Sequence, residues 1–363
     1  MNPLRSIKVL AILTTLGLLS GCTAPDTTAS ASLYGELTGV GASSQGAAQE
    51  VWIVGFQTAN PHVTVNYDPA GSGTGREAFI NGASAFAGTD RAFKPKELAT
   101  KKFASCTKES QIIEFPAYVS AIAVAFNIPG VRSLNMDAAT IAGIFTGAIT
   151  SWRDPQITSQ NPDVQLPDTT IKPVHRSDKS GTTGNFTQYL NAAAPEIWGA
   201  GVIEEWERSY GGEGAQGTSG VVAAIQHGNG TIGYADASRT KELGTVAIKT
   251  GDVYTPISPE AAAATLDNAK PEPSRGSLDY VLQLQHAQAG ANTYPIVLVS
   301  YLAACQIYND PQQARLTREY LNHILSDEAQ QQAAKHTGSA PLTASTKQKI
   351  RAIIGEIRGV EKH

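Results

Sequence analysis

HRSDKSGTTGNF, residues 175–186, sets an Arg-Ser-Asp beside a Ser-Gly-Thr-Thr-Gly run where a strand, Ile171–His175, gives way to a helix, Thr182–Asn191. A strand that ends in small hydroxyl residues ahead of a helix is the βα turn of an open, mostly parallel sheet, whose ligand sites lie at strand carboxyl ends. The same pattern recurs upstream. Leu33–Thr38 alternates as a short strand, turns through Gly39-Val-Gly41-Ala-Ser43-Ser44, and enters a helical stretch, Gln45–Ala59. Val63–Tyr67 leads into Ala70-Gly-Ser72-Gly-Thr74-Gly75 and a helix from about Arg76, and a third strand, Ala85–Gly88, ends at Thr89-Asp90-Arg91. The expectation is an α/β protein with mostly parallel sheets.

Further along, Gln111–Asn127 (QIIEFPAYVSAIAVAFN) is a long β-rich run with Pro116 inside it, read as a crossover between two lobes. After it come a helix over Ala138–Phe145, a helix over Gly217–His227, a strand over Thr231–Tyr234 and a turn-rich stretch, Pro271–Arg275. A strand over Tyr294–Leu302 (YPIVLVSYL) precedes an amphipathic helical region, Asp310–Lys335, with Leu316, Tyr320, Leu321 and Ile324 at core spacing. With 363 residues, 41% of them hydrophobic, the chain can bury one large core or two medium ones, and domain size favours two. The expected division is one lobe from 33–118 and 294–363 and another from 119–293.

The first residues carry an address. Arg5 and Lys8 precede an apolar run, Val9–Leu19, too short to span a membrane, and Leu19-Ser20-Gly21-Cys22 matches the bacterial lipobox. Residues 1–21 therefore read as a lipoprotein signal peptide, Cys22 as the lipidated first residue of the mature chain, and 22–32 as a polar tether; an ordinary signal peptide is the alternative. The expected location is outside the cytoplasmic membrane, held by lipid. With Cys22 so used, Cys106 and Cys305 remain as an even pair in an oxidising compartment, and a disulfide between them is expected over two buried thiols. A net charge of −4 includes no basic stripe, which argues against nucleic acid as a partner.

Ser180 and His175 in the opening stretch raise the question of a hydrolase. A nucleophile elbow needs Gly-x-Ser-x-Gly; Ala70-Gly71-Ser72-Gly73-Thr74 lacks both outer glycines, and Thr218-Ser219-Gly220 has the wrong spacing. The seven histidines form no HxH or HxxxH pair, so no metal is expected, and Gly71–Gly75 is neither a P-loop nor a full dinucleotide fingerprint. What the turns share is donors: Ser43, Ser72, Ser180 and Thr182 stand where helices begin, so hydroxyls and backbone N–H groups can converge on an anion. Helix capping explains each of them singly; their repetition together with Arg176 and Asp90 favours an anion site.

Four ordered segments carry a resemblance. Leu37–Ser43, Gly71–Gly75, Phe86–Asp90 and His175–Thr182, supported by Ile149–Pro155, Ile232–Asp236 and Tyr294–Ile296, resemble the anion-contacting elements of the PstS family, the phosphate-binding lipoproteins of bacterial phosphate ABC importers. The likeness spans about 33–345 and is similar in style to the actinobacterial branch. It implies a two-lobed periplasmic-binding-protein fold, a Venus flytrap with the ligand in the hinge cleft. It also implies phosphate contacts from Ser43, the Ser44 backbone, Ser72, Asp90, Arg176, Ser180, the Gly181 backbone and Thr182, with Asp178 holding the Arg176 guanidinium. Asp90 would accept the P–OH of a protonated phosphate and disfavour sulfate, or else serve as a cap or a partner for Arg91.

The implied protein is a monomeric receptor without cofactor or turnover, whose partners are inorganic phosphate, the membrane through its lipid, and ABC permease subunits. The alternatives are a secreted phosphatase on the same fold, or a receptor for arsenate or a phosphonate. Two departures stand out. Ser43-Ser44-Gln45 replaces the family's common Thr-Phe-Pro, losing a shielding aromatic, and Lys179 stands where Gly is frequent.

Overall fold

A computed structural model describes residues 32–361 apart from 267–268, 285–289 and 291–292. The expected signal peptide, Cys22 and all of the tether but Ser32 lie outside the described residues. Leu33 onward forms one compact unit.

Its centre is an eleven-stranded sheet in which eight strands run in the order Val63–Asp68, Gly35–Gly41, Phe86–Thr89, Val297–Cys305, Ile112–Asn127, Thr231–Asp236, Lys172–Arg176 and Glu213–Ala215, with Ser133–Met136, Gly244–Thr250 and Val253–Thr255 branching off this path. Pairing is parallel within Val63–Asp68, Gly35–Gly41 and Phe86–Thr89 at one end, and within Thr231–Asp236, Lys172–Arg176 and Glu213–Ala215 at the other. Val297–Cys305 and Ile112–Asn127 join the two wings by antiparallel pairing. The mostly parallel sheet expected from the βα grammar is thus two parallel wings on an antiparallel spine. The first part of Ile112–Asn127 pairs with Val297–Cys305 and its last six residues with Thr231–Asp236, so this single strand of 16 residues belongs to both wings. Nearly every side chain in it is buried, which its unbroken apolar run requires.

Pro116 does not break that strand, because it falls where the ladder is already irregular: the register shifts between Ser300 and Tyr301 opposite it, and a missing N–H costs little at a bulge. The helix expected from Arg76 begins four residues earlier, as Ser72–Ile80. Gly73 and Gly75 weaken the helical signal by their low propensity, but tertiary packing demands Gly75, since a Cβ there would lie 2.4 Å from the Gly41 Cα. The expected helical region Asp310–Lys335 is two helices, Pro311–Ile324 and Asp327–Thr337. The second is started afresh by Ser326, whose hydroxyl caps the N–H of Ala329. Helix Gly181–Ala193 begins at its cap Ser180 and stops two residues short of Pro195, which disfavours helical geometry in Ala194.

Cys106 and Cys305 are joined, with their Cα atoms 5.4 Å apart across a separation of 199 residues. The bond ties the end of Val297–Cys305 to the segment that follows helix Pro95–Thr100. Closing so long a loop removes about 5 kcal/mol of unfolded-chain entropy in the simple chain model, although measured gains run lower. Replacing both cysteines by Ser is therefore expected to lower the unfolding free energy by about 2–5 kcal/mol in urea titrations. A midpoint equal to that of the oxidised parent would contradict this.

Candidate functional site

The segments singled out in the sequence meet at one place, at the carboxyl ends of four strands. Gly35–Gly41 is followed by Ser43 and Ser44, Val63–Asp68 by Ser72, Phe86–Thr89 by Asp90, and Lys172–Arg176 by Ser180 at the head of helix Gly181–Ala193. Ser44, Ser72, Asp90, Arg176, Ser180, Gly181 and Thr182 are all buried, and Ser43 is partly so.

Asp90 is the hub. Its Oδ1 accepts from Ser44 Oγ and from Ser300 Oγ, each at 2.6 Å, and its Oδ2 accepts from Thr182 Oγ1 at 3.0 Å. Its backbone N–H donates to Ser72 Oγ at 3.1 Å, and its carbonyl accepts from Asn185 Nδ2 at 2.8 Å. Burial pushes the Asp90 carboxyl above the ordinary range, while the three hydroxyl donors and the charge of Arg176 work against that rise. Arg91 pairs not with Asp90 but with Glu97 and Glu204, at 2.8 and 3.0 Å, and the next helix, Pro95–Thr100, takes Lys94 as its N-terminal cap.

Arg176 donates from Nε to Asp178 Oδ1 at 2.7 Å and from Nη2 to Oδ2 at 2.5 Å, the paired geometry that orients a guanidinium. Asp178 is itself held by the Gly217 N–H at 3.0 Å. Burial would raise the Asp178 carboxyl, but the hydrogen bonds and charge of Arg176 together with Gly217 outweigh it and hold the group below its usual value. Asp178 therefore stays ionised and leaves Arg176 Nη1 without a protein acceptor among the described residues. The backbone N–H of Arg176 donates to the Tyr234 hydroxyl at 3.3 Å, and that ring stacks on Phe186 at 4.3 Å between centroids.

Segments far apart in sequence touch here at backbone distance. A Cβ on Gly71, whose φ of 105° already favours glycine, would lie 2.3 Å from Asp178 Oδ2. One on Gly181 would lie 2.6 Å from Ser72 Oγ and 2.7 Å from the Asp90 Cβ. The Gly73 N–H donates to the Lys179 carbonyl at 3.0 Å, and the Lys179 stem lies over Gly73, where a Cβ would come within 2.6 Å of the Lys179 Cβ, while its ammonium lies 4.0 Å from a Glu205 carboxylate oxygen. Ser43 Oγ accepts from the Thr218 N–H and shares a second contact with Thr218 Oγ1, both at 3.0 Å. Ser180 Oγ accepts from the Thr183 N–H, and Ser72 Oγ from Asp90, so each retains its own proton for donation. The result is a buried cluster rich in donors around the Asp90 carboxylate and the Arg176–Asp178 pair.

The chain matches the model of a PBP superfamily domain over residues 26–328. It is 32% identical over 326 residues to the phosphate-binding protein PstS 2 of Mycobacterium tuberculosis, covering 89% of this chain and 87% of that one. To the phosphate-binding protein PstS of Methanocaldococcus jannaschii it is 33% identical over 296 residues, covering 76% and 75%. The chain belongs to the PstS family.

Solved structures agree on the fold of this PstS-family protein. A high affinity periplasmic phosphate-binding protein bound with phosphate has a TM-score of 0.69 at 21% identity, covering 88% of this chain and 93% of its own. A putative phosphate ABC transporter substrate-binding protein with bound phosphate from Clostridium perfringens has 0.60 at 19%, covering 85% and 100%. The periplasmic-binding-protein fold expected from the resemblance is the fold of this chain.

Four residues at this PstS-family site were not among the expected ones. Ser300 lies in the spine strand at the register shift, and its only sequence signal is a lone hydroxyl in the apolar run YPIVLVSYL. Gln45, fully buried, donates to Ser300 Oγ at 2.7 Å and to the Tyr301 carbonyl at 2.9 Å. Arg76 donates to both carboxylate oxygens of Glu204, at 2.7 and 2.9 Å, and Glu204 also holds Arg91. No spacing in the chain points to that ion cluster. Gly181→Ala is expected to cost about 1–3 kcal/mol of stability through the short contacts with Ser72 and Asp90. Urea unfolding measures it, and a variant as stable as the parent would contradict the packing.

Proposed function

We propose that this protein is an extracytoplasmic receptor that captures inorganic phosphate and delivers it to an ABC permease. The observation that carries the reading is the composition of the site: convergent O–H and N–H donors, one oriented Arg176, and one buried acceptor, Asp90, with a carboxylate lone pair to spare. Phosphate at neutral pH carries both negative oxygens and a proton. Preorganised dipoles and one guanidinium bind the former, and Asp90 accepts the latter. The phosphate-bound relatives and PstS family membership support the same ligand.

In this reading Ser43, the Ser44 backbone, Ser72, Asp90, Arg176, Ser180, the Gly181 backbone and Thr182 contact phosphate, and Asp178 positions Arg176. One lobe comprises 33–118 and 294–363 and the other 119–293. Closure is driven by donors from both lobes, because a ligand shifts a conformational equilibrium only by its differential affinity for the two states. The receptor acts as a monomer, anchored through lipid on Cys22, and performs no turnover. The lipobox Leu19-Ser20-Gly21-Cys22 is the feature that supports the lipid anchor.

Calorimetric titration of the phosphate-stripped protein is expected to show phosphate bound at least about a hundredfold more tightly than sulfate, because sulfate leaves the Asp90 acceptor facing a bare oxyanion. Asp90→Asn is expected to narrow that preference. Equal binding of the two anions by the parent, or an unchanged ratio in the variant, would overturn the role given to Asp90. Sustained release of p-nitrophenol from its phosphate ester by metal-loaded protein would favour a phosphatase instead. Expressed in a bacterial host, the chain is expected to partition into detergent on phase separation and Cys22→Ser into the aqueous phase. Equal partitioning of the two would exclude the anchor.

A further inference from the structure

We propose that Gln45 is a specificity-determining positioning residue: it fixes the direction of the Ser300 hydroxyl, holds Asp90 as an acceptor, and so makes the site select oxyanions that carry a proton. The inference rests on the receptor reading above and deepens it.

The Tyr301 carbonyl can only accept. The Gln45 amide atom 2.9 Å from it must therefore be nitrogen, and that same nitrogen lies 2.7 Å from Ser300 Oγ. Ser300 then accepts from Gln45, and its single proton is directed to Asp90 Oδ1 at 2.6 Å. Behind Gln45 the order continues. Its Oε1 accepts from Gln49 Nε2 at 3.0 Å, and Gln49 Oε1 accepts from the Tyr320 hydroxyl at 2.6 Å. Tyr320, Gln49, Gln45, Ser300 and Asp90 are all buried, and every donor in the series points toward Asp90.

Reversing the Gln45 amide would set its oxygen against the Tyr301 carbonyl and its nitrogen against the Gln49 amide nitrogen. Two buried like-with-like contacts make that arrangement costly. Hydrogen bonds aligned in one sense also polarise one another in a dry interior.

The consequence falls on the two carboxylate oxygens. Oδ1 receives Ser44 and Ser300, which occupy both of its lone-pair directions, while Oδ2 receives Thr182 alone. One acceptor position is left, on Oδ2, and a proton on Oδ1 would collide with two donors. A proton shared between Asp90 and a ligand must therefore lie on the Oδ2 side, and in this proposal the ligand supplies it. Of the groups packed around Asp90, Arg176 bears on it with charge and the Tyr67 phenol is the other titratable neighbour. Arg76 is committed to Thr89 and Glu204, and the remaining contacts are hydroxyls and the Asn185 amide. Gln45 is one of the three residues, Ser43-Ser44-Gln45, that depart from the family's common pattern at this turn.

The test uses the full chain purified in detergent and stripped of anion, with Gln45→Met, which keeps volume but has no donors, and Ser300→Ala. Dissociation constants for phosphate and sulfate are measured at neutral pH, and phosphate binding is followed down the acid limb. Both variants are expected to lower the phosphate-to-sulfate affinity ratio by about tenfold or more. Both are also expected to move the acid midpoint of phosphate binding upward by about a unit, because the ionised form of Asp90 loses a donor and protonates at higher pH. Global destabilisation alone would shift neither quantity. If Gln45→Met does not fold, Ser300→Ala decides. An unchanged ratio and midpoint in a parent that prefers phosphate would overturn this inference and leave the receptor reading intact. A parent that binds no phosphate, or both anions alike, would overturn the receptor reading and this inference with it.

Discussion

A carboxylate removed from water must be met by donors or give up its charge, and the surroundings of Asp90 answer that demand from four directions. Ser44 comes from the turn after the first strand, Ser300 from the spine of the sheet, Thr182 from the head of a distant helix, and the Arg176 charge from the end of another strand. No local segment can supply these groups. They coincide only because the sheet brings four strand ends together, and the carboxylate in turn gives those ends a common partner. The site is therefore as much a part of the tertiary fold as the apolar core is.

The second constraint is distance. Donors that must converge on an anion a few ångströms across need backbones at near contact, which is what Gly41, Gly71, Gly75 and Gly181 permit. At each of these positions a methyl group would meet backbone, carboxylate or hydroxyl atoms well inside van der Waals contact. The glycines that make the helix at Ser72 look weak in the sequence are the ones that let it sit against the first strand. Local propensity is spent there on proximity.

Charge around the site follows a similar economy. Arg176 is oriented by a partner two residues away, whereas Arg76 and Arg91 share Glu204. Three arginines near one anion site would bind any oxyanion by charge alone. With two of them neutralised, the proposed recognition falls to hydrogen-bond direction, for which the Gln45 to Ser300 series and Asp90 supply an ordered set of contacts.

The residues that were legible in the sequence are those whose roles are local. Ser180 caps the helix it precedes, Asp178 pairs with Arg176 two positions back, and small hydroxyl residues follow strands at the turns where an α/β sheet collects its ligands. The family pattern at these turns identified Asp90 as well, and the parity of the cysteines identified Cys106 with Cys305. What only the tertiary structure decided are contacts between groups with no spacing in common: Ser300 on Asp90 across 210 residues, Gln45 on Ser300 across 255, Arg76 on Glu204 across 128. The reason is physical. Local hydrogen bonds follow from backbone geometry that a few residues determine, while a buried polar group takes its partner from whichever strand or helix the packing of the whole chain brings against it.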